Sequence, residues 1–70
     1  MTPDDLRAIR LSLGLTQEAF GRALGYKGPN IKQMISRLER GVMPVPERVE
    51  LKIEKLNREG WPKAPLGQSP

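Results

Sequence analysis

The chain contains neither cysteine nor histidine, and that absence limits what its seventy residues can fold into. Disulfides are excluded, and without thiolate or imidazole ligands a structural zinc site is not expected. A domain this small buries only ~60% of the surface its unfolded chain exposes. Small domains without covalent or metal staples rely on close helix packing, on oligomerisation, or on both. Scarce aromatic residues, one each of Trp, Tyr and Phe, and few β-branched runs favour helices over a sheet.

The helices can be bounded from their punctuation. The first is expected over residues 3–13, with Thr2 as cap, Pro3 at the first helical position and Asp5 three residues after the cap. Leu6, Ile9 and Leu13 share one face, and Gly14 ends the run. A second helix is expected over 17–24. Thr16 caps it, Ala19, Phe20, Ala23 and Leu24 form its stripe, and Gly25 stops it. Tyr26-Lys27-Gly28-Pro29 reads as a loop. A third helix should start at Pro29 or Asn30 and end at Arg40, with Ile31, Ile35 and Leu38 inward and Met34 at the edge. Val42-Met43-Pro44-Val45 then turns the chain into a fourth helix over 46–58. Val49, Ile53 and Leu56 face inward there, and Leu51 faces the other way. Residues 60–70 hold three prolines and two glycines and are expected to form a flexible tail, leaving 1–59 as the folded domain.

Composition excludes several classes of function. No apolar stretch is long enough to span a bilayer. Asp4 and Asp5 stand where a signal peptide would carry basic residues, and the lack of cysteine suits a cytoplasmic location. Catalysis needs convergent reactive groups. Here the hydroxyl residues are few and include the caps Thr2 and Thr16. The acid pairs Asp4-Asp5 and Glu47-Glu50 sit at helix starts, where the helix dipole accounts for them. No phosphate-binding loop or metal constellation occurs, so no enzyme, cofactor or metal is expected.

Charge is more informative by segment. Arg22, Lys27, Lys32, Arg37 and Arg40 stand against Glu39 alone, so residues 22–40 carry as much net charge as the whole chain, +4. A localised basic patch is the electrostatic footprint of a polyanion partner. Charge alone leaves open the alternative of a basic face that merely meets solvent.

Several runs carry a resemblance. They are Leu13-Gly14-Leu15-Thr16-Gln17-Glu18, then Phe20, Gly21, Leu24 and Gly25, then Ile35-Ser36-Arg37-Leu38-Glu39-Arg40-Gly41, and finally Pro46. Together, residues 6–56 resemble the helix-turn-helix domain of the Cro and phage-repressor (Xre-like) family. The resemblance implies an all-α, compact four-helix domain whose third helix reads double-stranded DNA. It implies that two helices cross at Gly21, and it pairs Glu39 with Arg10 of the first helix. One difference stands out: about four residues are inserted after Gly25. Either the turn between the second and third helices is lengthened, or the third helix has gained a turn.

Physical chemistry agrees with this picture. A recognition helix enters the groove N-terminus first, so polar residues of its first turns reach base edges. Lys32, Gln33, Ser36 and Arg37 occupy those places. Lys or Arg donates to guanine O6 and N7, and Gln binds adenine at N6 and N7. Thr16 and Gln17, at the start of the second helix, with Arg22, Lys27 and Arg40, are the candidate phosphate contacts. One helix reads too few base pairs to find a site in a genome, so a homodimer on an inverted repeat is expected. Val42, Met43, Val45, Leu51 and Trp61 are its candidate apolar surface. The leading expectation is a repressor or autoregulator. The alternative is the antitoxin half of a toxin–antitoxin pair, with the Trp61 tail folding onto a toxin. A helical domain that binds only protein is the third class.

Overall fold

In a computed structural model, which describes residues 1–61, the chain opens on a reciprocal cap. The Thr2 hydroxyl accepts from the Asp5 N–H at 3.1 Å, and the Asp5 carboxylate accepts from the Thr2 N–H at 3.3 Å. Helix α1, Pro3–Leu13, starts there. Helix α2, Gln17–Ala23, starts on Thr16, whose hydroxyl accepts from the Ala19 N–H at 3.1 Å. Helix α3 is Ile31–Glu39 and helix α4 is Glu47–Glu59. No strand occurs among the described residues.

The first three helices end in one way. After α2, the Gly25 N–H donates to the Arg22 carbonyl and the Tyr26 N–H to the Gly21 carbonyl, both at 3.0 Å. This pair of bonds satisfies carbonyls the helix leaves orphaned, and it requires a left-handed residue at the glycine. Gly25 supplies it with φ 99°. Leu15 and Val42 close α1 and α3 with the corresponding bonds, to the carbonyls of Arg10 and Arg37.

The core is made of Leu6, Leu15, Ala19, Phe20, Leu24, Ile31, Ile35, Leu38, Val49 and Ile53, with all four helices contributing. Leu15 falls outside the expected helical stripes. It precedes the cap of α2 while Phe20 is the fourth residue of that helix, the two positions of a hydrophobic staple. α2 packs most extensively on α3, and α1 also packs on α3. Helix α3 therefore has its inner face held from two sides while its outer face stays open.

The ends differ slightly from the sequence expectation. Leu24 caps α2 rather than belonging to it, and α3 runs from Ile31 to Glu39 rather than from 29 or 30 to 40. Residues 24–30 separate the two helices, so the extra residues lengthen the turn. Tyr26 of this turn is partly buried against the core, and the Arg48 guanidinium lies 5.7 Å from the centre of its ring. That cation–π contact ties the turn to the start of α4.

The sequence places Trp61 in a tail, but its ring stacks on Phe20 at 5.6 Å between centroids and 20° between planes. Its indole N–H donates to the Asn57 side-chain oxygen at 2.7 Å. Gly60 ends α4 at φ 104°, a conformation glycine adopts without strain, and the indole that follows packs against the core. Residues 62–70, the rest of the expected tail, lie outside the described residues.

Candidate nucleic-acid interface

The site is positioned by a close helix crossing. A Cβ at Gly21 would lie 2.2 Å from Ile31 Cγ2 and 3.0 Å from Ile35 Cγ1. Only a residue without a side chain lets α2 approach the inner face of α3 this closely. The crossing fixes α3 through its buried residues, which leaves Lys32, Gln33 and Arg37 exposed.

A second device locks the far end of α3. Arg10 Nε donates to Glu39 Oε2 at 2.6 Å and Nη2 donates to Oε1 at 3.3 Å. The third guanidinium nitrogen, Nη1, donates to the Leu15 carbonyl at 3.0 Å. The pair is largely withdrawn from water, with the side chains 13% and 5% exposed. Gln17 joins it, donating from Nε2 to Glu39 Oε1 at 3.2 Å. One carboxylate thus gathers α1, the start of α2 and the end of α3. The Gln17 bond is absent from the sequence reading, because nothing in spacing brings residues 17 and 39 together.

This network also changes the electrostatics of the face. Glu39 is the acid counted against the five cations of residues 22–40, yet it is turned inward and neutralised by Arg10. Arg22 is paired on the surface with Glu18, one helical turn earlier, at 3.1 Å. Among the described residues, Lys27, Lys32, Arg37 and Arg40 are exposed and have no ion-pair partner. The open face of α3 is therefore more uniformly positive than the formal count implies.

The structure sorts the candidate residues into two groups. Gln17, Lys32, Gln33, Ser36, Arg37 and Arg40 line one shallow concavity between the start of α2 and the outer face of α3. All four candidate base readers are here, with two of the candidate phosphate contacts. Arg22 and Lys27 line a separate depression at the lengthened turn, with Tyr26 and Ile31. Thr16 is half-buried, its hydroxyl engaged as the α2 cap.

A helix-turn-helix family model matches residues 6–58. The chain belongs to that family. The match takes in α2, the turn, α3 and nearly all of α4, so the crossing at Gly21 is the helix-turn-helix crossing and α3 is its second helix. The chain is a DNA-binding transcriptional regulator of the Cro type. No curated protein and no solved structure matches it. Among the described residues, no helix is long and apolar enough to cross a membrane.

The apolar residues expected to form a dimer surface divide in this helix-turn-helix domain. Val42 and Leu51 are 65% and 56% exposed. Met43, Val45 and Trp61 instead pack against the core. The turn after α3 folds inward, held by the Val42 N–H to Arg37 carbonyl bond at 3.0 Å, and this draws the residues that follow Val42 under the domain. Leu11, which sequence patterning did not single out, is 57% exposed on α1.

Proposed function

We propose that this regulator is a sequence-specific repressor or autoregulator that reads an inverted repeat as a dimer. Helix α3 lies in the major groove, with Lys32, Gln33, Ser36 and Arg37 at base edges. Gln17, Thr16 and Arg40 contact phosphates along one wall of the groove, and Arg22 and Lys27 contact them beside the turn. The observation that carries this reading is the concavity in which base-reading side chains and cations converge on a face cleared of acids. Phosphate contacts supply position and affinity, and base contacts supply sequence information.

The dimer rests on Val42 and Leu51, the exposed members of the expected apolar set. Two copies would place their α3 helices ~34 Å apart, one turn of DNA. The antitoxin alternative drew on Trp61 as an anchor for a toxin. That ring is engaged with Phe20 and Asn57, and the rest of the tail, residues 62–70, lies outside the described residues.

A footprint on the DNA upstream of the chain's own gene, with light scattering of the complex, tests the proposal. The expected result is a protected site with two-fold symmetry and two chains per duplex. A 1:1 complex on an asymmetric site would refute the dimer and leave groove reading intact. Weak binding that does not distinguish sequences would refute sequence-specific regulation.

A further inference from the structure

We propose that Asn30 is a further specificity-determining residue, reading an adenine one step beyond the base pair read by Gln33. The inference rests on α3 being the helix that enters the groove. It starts from an asparagine that does not do what its position allows.

Asn30 is the residue immediately before α3, where an asparagine side chain ordinarily accepts from a backbone N–H of the first helical turn. Thr2 and Thr16 do this for α1 and α2. Asn30 does not. Its backbone sits at φ −106° and ψ 22° rather than in the extended region, and its side chain makes no capping bond. Among the described residues no hydrogen bond to its amide is present, and the residue is exposed. Both donors and the acceptor of that amide are unengaged among the described residues.

Its carbonyl nevertheless accepts the first helical bond, from the Met34 N–H at 3.0 Å, so Asn30 lies on the helix cylinder. Residues 30, 33 and 37 are then spaced i, i+3 and i+7, which is one stripe along a helix face. Seven residues at ~1.5 Å rise cover ~10 Å, about three base-pair steps of ~3.4 Å. The stripe Asn30, Gln33 and Arg37 runs from the tip of the helix inward. The tip is not left loose, because the turn before it is tied to α4 through Tyr26 and Arg48.

The chemistry selects the base. A side-chain amide presents one donor and one acceptor edge. Adenine offers N7 as acceptor and N6 as donor in the major groove, whereas guanine offers two acceptors there. A bidentate contact from Asn30 therefore fits adenine and rejects guanine.

The test is selection of half-sites from randomised duplex DNA by the full chain and by Asn30→Ala, Asn30→Asp, Gln33→Ala and Arg37→Ala. The native chain should prefer adenine at the outer position. Asn30→Ala should lose that preference by roughly 5- to 150-fold and keep the others. Asn30→Asp, which can only accept, should move the preference toward cytosine through its N4 amino group. Melting midpoints should stay within a few degrees, because no capping bond is lost, so an unfolded variant would also count against the proposal. If Asn30→Ala keeps every preference while Gln33→Ala and Arg37→Ala each erase one, Asn30 is not a reader and α3 remains the recognition helix. Uniform weakening across all sequences by Asn30→Ala would overturn the proposal in favour of a phosphate contact. If none of the variants alters preference, the reading of α3 itself fails.

Discussion

Gly21→Ala sets two magnitudes against each other. Alanine is favoured over glycine inside a helix by ~1 kcal/mol. The added carbon, however, would stand 2.2 Å from Ile31 Cγ2, more than an ångström inside a carbon–carbon contact of ~3.5–4 Å. Ile31 cannot yield easily. Its Cγ2 is attached at the branched Cβ, whose rotamer is nearly fixed in a helix, and the residue is 3% exposed. An overpacking cost at the upper end of the usual range, ~3 kcal/mol, wins over the helix gain and leaves a net loss of ~2 kcal/mol. For a domain of this size that lowers the melting midpoint by ~8–16 °C. The identity of the clashing atom makes the prediction sharper. Ile31→Leu removes the methyl on Cβ at nearly constant volume and should recover part of the loss. Ile31→Val keeps that methyl and should recover none. Thermal melts of Gly21→Ala alone and with each partner substitution measure this. A Gly21→Ala protein as stable as the native chain, or rescue by Val equal to rescue by Leu, would refute the close-crossing argument. Binding gives a second readout, because displaced helices re-aim α3 and should weaken operator binding even in a variant that remains folded.

Glu39→Ala leaves Arg10 without its counter-charge in a half-buried site and should cost ~3–5 kcal/mol in urea unfolding; a loss under ~1 kcal/mol would mean the pair is solvated. Lys27→Ala should weaken all DNA sequences alike and reduce the salt slope of binding by roughly one unit, and an altered base preference would argue against a phosphate role. Trp61→Ala removes a ring stack of ~0.5–1.5 kcal/mol plus its buried area, so the melting midpoint should fall by several degrees; no change would mean the indole is undocked in solution.

Sequence made the helices legible wherever an end is defined by local chemistry. Thr2, Pro3 and Asp5 open α1 and Gly14 closes it, and both its ends fall where those residues place them. The start of α3 is harder to read because Pro29 and Asn30 are each plausible first residues. The backbone there is decided by the turn before it, which is anchored by a contact from α4. Leu15 escaped the helical period because it lies between the helices, after the α1 cap Gly14 and before the α2 cap Thr16. Its signal was the staple spacing to Phe20 rather than a stripe. Met43 and Val45 follow no period either, so nothing local distinguishes an apolar turn that folds under the domain from one that faces a partner.

The site was legible to a different degree for each kind of interaction. Exposure of Lys32, Gln33 and Arg37 follows from the period of α3, since Ile31, Ile35 and Leu38 claim the inner face. Their convergence with Gln17 does not, because it depends on how closely α2 crosses α3, and Gly21 permits that close approach. The same holds for charge. A segment count subtracts Glu39 from the basic excess, but the fold gives that carboxylate to Arg10 and Gln17 and leaves the outer face to cations. A count along the chain therefore understates the field a phosphate backbone would meet. The pairing that corrects it spans 29 positions in sequence, beyond the reach of helical spacing. Stability and recognition are linked through this one carboxylate: the bonds that hold the end of α3 in place are also those that remove negative charge from its face.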